Sequence, residues 1–326
     1  MKLKAREGAN LSNDLSLKNQ IRKIGIKLGI KQHFLPLYEL ITKPKTTKRL
    51  KQYDPQNDSY GLNTEKRDFD ITVSFTTFPA RIGFAVYVAD AMLKQTLKPD
   101  RVILVLAEEE FSSLNDLPDD YRQLEKRGLS IVFTENLKPH KKYQYTMQNF
   151  PDSIVITVDD DLLYPEDLIE TLIKSYKEHP KAVSAMRAHR MIFNDRKILP
   201  YNDWGIESTY TYEPVYDLVA TGVGGVLYPA GCMTDRKDQL LDVNAIKEVC
   251  PNCDDIWLKM FELLCDVPVV LASKKKQDFL IVPGSQKNSL QSINVDDNGN
   301  DISLRSVMGF LNMSDEELYD KACRQV

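Results

Sequence analysis

The stretch Ser153–Asp167, SIVITVDDDLLYPED, decides the fold. It opens with Ile154-Val155-Ile156-Thr157-Val158, β-branched throughout and without polar alternation. Such a run reads as a strand buried on both faces. It stops at three consecutive carboxylates, Asp159, Asp160 and Asp161. After Leu162-Leu163-Tyr164, the group Pro165-Glu166-Asp167 reads as a helix start, with proline in the first turn and acids beside the positive end of the dipole. In an open α/β sheet, ligands sit outside the carboxyl ends of the strands. Like charges packed at such an edge cost stability unless a cation is present. A hard divalent ion such as Mg²⁺ or Mn²⁺ takes oxygen ligands and commonly bridges a carboxylate to a substrate phosphate. Asp159 and Asp161 flank one residue and project to the same side if the extended geometry persists. A solvated acidic loop is the plainer alternative; the position directly behind a buried strand argues against it.

Upstream, similar runs recur. Ile71 to Phe75 predicts a first strand, followed by the loop Thr76-Thr77-Phe78-Pro79-Ala80-Arg81. Phe84 to Gln95 predicts a helix, broken by Lys98-Pro99-Asp100, and Arg101 to Leu106 a second buried strand. Tyr121 to Arg127 predicts a short helix ended by Gly128, and Leu129 to Phe133 a third strand. Lys141 to Phe150 reads as a helix ahead of the fourth strand, Ser153 to Val158. Strands alternating with helices in this rhythm indicate an α/β chain with a parallel sheet of the nucleotide-binding kind. The phosphate-cradling P-loop pattern and the dinucleotide glycine fingerprint are both absent, so a nucleotide must be held differently. Ala182 to Met186 reads as another strand, with Arg187, His189 and Arg190 after it. Asp254-Asp255-Ile256-Trp257-Leu258 reads as a helix entry, and Ser314 to Cys323 as a closing helix with a capping-box start.

The 326 residues are 42% hydrophobic and 28% charged, enough apolar material for a sizeable core. The net charge of −4 is unevenly spread. Residues 1–51 carry 13 Lys and Arg against 3 Asp and Glu, a balance of +10, and the remainder balances at −14. This argues against a nucleic-acid-binding core and for a basic leader with an anionic partner. Within 11–41, Leu17, Ile21, Ile24 and Leu28 recur at helical spacing among Lys18, Arg22, Lys23, Lys27 and Lys31. A basic amphipathic helix on an anionic membrane surface has this pattern. A helix packed on the catalytic domain, or one making homo-oligomer contacts, fits it too. Residues 43–68 are polar with Pro, Gly and Asn and read as a linker. The expected organisation is a leader and linker over 1–68 and a globular domain over 69–326. The five cysteines are an odd number, and there is no secretory signal or bilayer-spanning apolar run. The expectation is a reducing, cytoplasmic setting. Cys250-Pro-Asn-Cys253 has the spacing of half a zinc site without its other half.

Five pieces, SFTTFPARI, KPHKKY, VDDDLLYP, GVGGVLYP and CDDIWL, lie in order between the first strand and Leu258. In these pieces the chain resembles the GT-A glycosyltransferases, in particular bacterial enzymes that build surface or capsular polysaccharides. The resemblance covers roughly three-fifths of the chain, from Phe69 to about Asp255. It implies a mixed, mostly parallel Rossmann-like sheet flanked by helices. It also implies a nucleotide-sugar donor such as a UDP-sugar, Mn²⁺ or Mg²⁺ at the DxD, and a glycan or lipid-linked acceptor. The donor half would be 69–165 and the acceptor half 166–326.

By analogy with that family, Asp161 is expected to ligate the metal directly, with Asp159 in a water-mediated or ribose contact. Asp160, counted with the donor set, is expected to point the other way. Thr76, Thr77 and Arg81 stand where base and phosphates are held, although the threonines also suit plain turn chemistry. Lys142 is a candidate for the diphosphate and Tyr143 for stacking on the base; an exposed charged helix start is the alternative. Arg190 or His189 is expected to line the donor site. Gly224 and Gly225 would let backbone approach a sugar, or simply make a tight turn. Asp254 and Asp255 are helix caps on the plain reading. In inverting GT-A enzymes a carboxylate here takes the acceptor proton, so Asp255 is chosen as base with Asp254 close behind. The family's C-terminal histidine ligand has no counterpart among His33, His140, His179 and His189. Water, phosphate or an oxygen donor such as Asn288 or Asp301 would complete the shell. Residues 284–301 read as a loop closing over the donor or as ordinary surface. The rival functions are a sugar-nucleotide nucleotidylyltransferase and a non-catalytic subunit of an assembly complex.

Overall fold

The computed structural model describes residues 42–57, 59–275, 279–288 and 298–326. The leader over 11–41 lies outside them, with its membrane and oligomer readings, as does the Asn288 side chain. A first helix, α1, is present over 42–50. The elements then run β1 Ile71–Thr76, α2 Ile82–Leu93, β2 Arg101–Ala107, α3 Asp120–Lys126, β3 Leu129–Thr134, α4 Lys141–Asn149 and β4 Ile154–Thr157. The second half has α5 Leu168–Glu178, β5 Val183–Ala185, β6 Ala188–Arg190, β7 Phe193–Asn194, β8 Lys197–Ile198, β9 Leu218–Ala220 and β10 Val226–Tyr228. It ends with α6 Lys237–Leu240, α7 Val243–Val249, α8 Asp254–Leu264, β11 Val269–Leu271, α9 Gly299–Phe310 and α10 Asp315–Ala322.

Seven strands form one sheet in the order β11-β5-β10-β4-β1-β2-β3. All run parallel except β10, which is antiparallel to both β4 and β5. The fold is therefore a mixed, mostly parallel sheet flanked by helices. The unalternating run of β4 follows from its central place. Ile154, Ile156 and Val158 face a core shared with α2, α3 and α5, whereas Val155 faces a second core built with α4, α8 and α9. The two short pairs β6–β9 and β7–β8 stand beside the main sheet.

The reversed strand matters for the site. Val226, at the start of β10, lies opposite Thr157 at the end of β4 and opposite Ala185 at the end of β5. Residues 222–225, Asp159–Asp161 and Arg187 thus come off one edge of the sheet, from three neighbouring strands.

Of the stretch 43–68, expected as a linker, residues 43–50 belong to α1, and residues 51–57 and 59–67 contact the domain. The Tyr53 hydroxyl donates to Asp120 at 2.7 Å, and the Arg127 guanidinium to the Asp54 carbonyl at 3.2 Å. Asn63 and Arg67 both reach Asp100. Behind them Asp90 is buried and accepts from Lys94 at 2.7 Å and from Arg127 at 2.6 Å. Polar composition suggested a free segment, but these polar groups are spent on buried and partly buried partners of the domain.

One turn tests the packing. Gly224 has φ +91°, and a β-carbon there would stand 2.2 Å from Phe279 Cε1. Gly224→Ala is expected to destabilise the fold by about 2–4 kcal/mol. Gly83, in the first turn of α2, has nothing within 4 Å of an added β-carbon, and Gly83→Ala should stabilise by about 0.4–1 kcal/mol. Denaturation midpoints on opposite sides of the wild type are the expected result; coincident midpoints would refute the close contact at Gly224.

Candidate active site

Two elements bring carboxylates to the shared edge, the end of β4 and the start of α8, and the glycine turn before β10 lies beside them. The loop after β1 supplies the first counter-charge. Arg81 is 8% exposed and donates to Asp160 Oδ1 at 2.8 Å, while lying 3.1 Å from Asp161 Oδ2. Thr77 Oγ1 donates to the other Asp160 oxygen at 2.6 Å. Both Asp160 oxygens are thus occupied within the protein. Burial nevertheless raises its carboxyl above the ordinary value, despite the pull of Arg81. Thr76 Oγ1 donates at 2.6 Å to the carbonyl of Val105 in β2, which is strand-end chemistry rather than a free hydroxyl.

Asp161 is half-buried beside this pair. Its carboxyl is raised from 3.8 to about 6, first by burial and then by the Asp159 charge, with Arg81 opposing. The segment 279–286 runs against it: Leu163 N donates to Leu280 O, and Val282 N to Asp161 O, each at 2.8 Å. From that segment Gln286 Nε2 donates to Asp161 Oδ2 at 2.8 Å. Gln286 falls within the stretch 284–301 read as a donor-closing loop or ordinary surface, but nothing local singles out this side chain; the contact spans 125 residues. Asp301, by contrast, accepts from Tyr201 N on another part of the molecule.

Lys142 joins the two acidic elements. It is 5% exposed, and its Nζ lies 3.0 Å from Asp159 Oδ1 and 3.0 Å from Asp254 Oδ2. Burial works against its charge, but Asp159, Asp254 and Asp255 outweigh it and hold the ammonium well above the usual lysine range. Burial likewise opposes the Asp254 charge, and Lys142 wins, holding that carboxyl low. Asp255 behaves oppositely. Burial and then the Asp254 charge push it well above the usual range, against Lys142 and Arg187. Its oxygens accept from the Gly222 N–H at 3.2 and 3.4 Å. Gly222 is small for a reason: a β-carbon there would lie 2.6 Å from Asp159 Oδ1.

Several residues expected at the donor are engaged within the protein. Tyr143 is fully buried, and its hydroxyl pairs with His140 Nδ1 at 2.8 Å. A ring with no exposed face cannot stack on a base, so it is a core residue. Gly224 and Gly225 meet Phe279 and Leu168, so those glycines serve a turn packed on apolar side chains. Arg190 donates to Asp217 at 2.8 Å and lies 4.0 Å from the Tyr210 ring centroid, while His189 Nδ1 accepts from Glu207 N. Arg187, named after the fifth strand but given no role there, is the arginine whose charge opposes the rise of the Asp255 carboxyl. Its Nε donates to Thr221 Oγ1 at 2.8 Å, next to Gly222.

Five carboxylates (Asp159, Asp160, Asp161, Asp254 and Asp255) thus share an edge where, among the described residues, Arg81 and Lys142 are the cations within salt-bridge distance of them. Among the described residues, no group of three or more His, Cys, Asp and Glu side chains is arranged to hold a metal alone. Two oxygens at the rim, Asp159 Oδ2 and Asp161 Oδ1, accept no hydrogen bond among the described residues, although both carboxylates remain partly accessible.

No protein-family model matches the chain, and no curated protein matches it. Solved structures are similar at low identity. One is a mannosyltransferase from Pyrobaculum calidifontis in complex with GDP-Man and Mn²⁺, 12% identical over 91% of this chain and 78% of that one, with a TM-score of 0.45. A CMP:2-keto-3-deoxy-manno-octonic acid synthetase complexed with CTP is 12% identical over 63% and 89%, with a TM-score of 0.38. Glucosyl-3-phosphoglycerate synthase from Mycobacterium tuberculosis, with Mn²⁺, UDP and glucosyl-3-phosphoglycerate, is 12% identical over 64% and 88%, with a TM-score of 0.30. No helix among the described residues is long and apolar enough to cross a membrane.

The raised Asp161 carboxyl has a stability consequence. Between its unfolded value and about 6 the native state holds more protons, so stability falls as pH rises through that window. In chelator at pH 7.5, Asp161→Asn should therefore stabilise the protein by about 1–3 kcal/mol. The gain should shrink below pH 6 and vanish near pH 4. A loss of stability at pH 7.5, measured by thermal unfolding in EDTA, would contradict the charge excess.

Proposed function

We propose that the chain is a metal-dependent glycosyltransferase, moving a sugar from a nucleotide-diphosphate sugar, such as a UDP-sugar, to a hydroxyl of a glycan or lipid-linked acceptor with inversion. The observation that carries this reading is the uncompensated acidic edge: five carboxylates, two touching cations and two accessible carboxylate oxygens without partners. Such a donor set suits Mn²⁺ or Mg²⁺, which commonly bind one or two carboxylates and complete their shell with water and substrate phosphate. Asp161 and Asp159 would hold the ion. When bound, it would neutralise charge developing on the leaving diphosphate.

The remaining roles fall to the chain. Arg81 holds Asp160 and Asp161 in place from the loop after β1 and adds positive charge at the diphosphate side. Lys142 fixes Asp159 against Asp254 and so sets the distance between the donor carboxylates and the start of α8. Asp255 is the base. The Gly222 N–H orients it, and its raised affinity for a proton suits it to take one from the acceptor hydroxyl. As that oxygen bonds to the anomeric carbon, the bond from that carbon to the diphosphate breaks. The basic leader is read as a contact with an anionic membrane face on the cytoplasmic side, where a lipid-linked acceptor would present itself.

A screen of nucleotide sugars with Mn²⁺ tests the reading. Transfer or slow donor hydrolysis is expected and should stop in EDTA. Asp161→Ala and Asp255→Asn should each lower kcat by about 10²–10⁴-fold. Because the base must be unprotonated, kcat should rise as pH climbs through the elevated Asp255 value. Nucleotide binding without turnover would support a binding subunit instead, and diphosphate release from a nucleoside triphosphate with a sugar phosphate would support a nucleotidylyltransferase.

A further inference from the structure

Arg187 is not needed to tune Asp255; its charge opposes the elevation that favours a base. Its geometry suggests a different task. It leaves the end of β5 at the same edge as the acids. Only its Nε is committed, to Thr221 Oγ1 at 2.8 Å. Its NH1 lies 3.7 Å from Glu207 Oε1, too far for a hydrogen bond, and Glu207 is itself 63% exposed at the side chain. Neither terminal nitrogen makes a hydrogen bond among the described residues. The neighbouring strand β11 runs parallel to β5, with Leu271 beside Ala185. The chain leaving β11 sets out beside the end of β5, with Ala272 N donating to Ala185 O, and carries Lys274 and Lys275. Lys274 is exposed and has no carboxylate partner among the described residues; its Nζ lies 5.7 Å from the Tyr212 ring centroid. A guanidinium whose terminal nitrogens make no hydrogen bond among the described residues thus stands at the acidic edge, held by Thr221, the residue before the Gly222 whose N–H Asp255 accepts.

We propose that this Arg187 edge binds a phosphate group on the acceptor, so that the acceptor is a phosphate-bearing sugar rather than a neutral glycan. The proposal rests on the transferase reading of the site. An anion approaching the edge would otherwise meet five carboxylates and be repelled. Arg187 offers two parallel N–H donors to phosphate oxygens, the geometry in which a guanidinium holds phosphate best. Glu207 competes for the same face in the absence of that group. A soluble sugar phosphate and a lipid diphosphate sugar share this chemistry.

The test is binding to the full chain by titration calorimetry in EDTA, so that no cation recruits phosphate to the acids. The probes are glucose 1-phosphate, the farnesyl diphosphate ester of glucose in detergent, and methyl glucoside as the neutral control. Both phosphate-bearing probes should bind at least about tenfold more tightly than methyl glucoside. Tight binding of the farnesyl ester alone supports a lipid-linked source, and equal binding of both supports recognition of the phosphate itself. Arg187→Gln should weaken phosphate-bearing probes by about 10–100-fold, with partial recovery in Arg187→Lys. Glu207→Gln, at an exposed position, should strengthen them by about two- to fivefold. Equal affinity for charged and neutral probes, or no response to Arg187→Gln and Glu207→Gln, overturns the proposal. Donor hydrolysis with Mn²⁺, run in parallel on the wild type, separates the two readings. Its absence counts against the transferase, whereas hydrolysis with no preference for phosphate counts against this acceptor site alone.

Discussion

The buried ammonium of Lys142 is the contact on which the edge depends. It lies 3.0 Å from a carboxylate at the end of β4 and 3.0 Å from another at the start of α8. Those residues, Asp159 and Asp254, are 95 apart in sequence, and without a shared cation their charges would drive the two elements apart. Each carboxylate on its own would carry a desolvation cost, and the pairing offsets it only because one cation serves two acids. A single lysine in the first turn of α4 thus ties the central strand to the helix that carries Asp255.

The second constraint is the direction of β10. Because that strand alone runs against its neighbours, its amino end, not its carboxyl end, meets the acids. The backbone N–H of Gly222 then points at Asp255 while its missing side chain leaves room for Asp159. Charge is gathered at the edge but incompletely balanced. Lys142 and Arg81 neutralise the inner carboxylates, and what is left over faces the rim. That residue of negative charge is what makes the edge a place for a cation and a poor place for a bare anion, which in turn gives the half-free guanidinium of Arg187 its significance.

Much of the frame was legible in the chain. The strand ending in Asp159 was read over Ser153–Val158 and is found over Ile154–Thr157, with Val158 still donating to Ser74 O at 3.1 Å. The closing helix does begin with a reciprocal capping box between Ser314 and Glu317. These succeed because the signals are local: β-branched runs, and a cap whose partners are three residues apart. The candidate site was less legible. Tyr143 and Lys142 are neighbours in one helix turn, yet one enters the core and the other reaches the acids. Arg190 and Arg187 likewise differ by three residues; Asp217 and the Tyr210 ring occupy the first. The stretch 43–68 read as a linker because the partners of its Tyr53, Asp54, Asn63 and Arg67, namely Asp90, Asp100, Asp120 and Arg127, lie outside it in sequence.

The amino-acid sequence by itself determined the alternating strands and helices, the acidic stop at the end of the central strand and the basic bias of the first 51 residues. Those depend on side-chain shape, period and charge over short spans. Tertiary structure alone decided which charge meets which: that Asp160 is consumed by Thr77 and Arg81, that Gly222 rather than Gly224 adjoins the acids, and that Gln286 reaches Asp161. The reason is that an electrostatic or hydrogen-bonded contact falls off within a few ångströms, and ångströms between distant residues are set by how the layers pack.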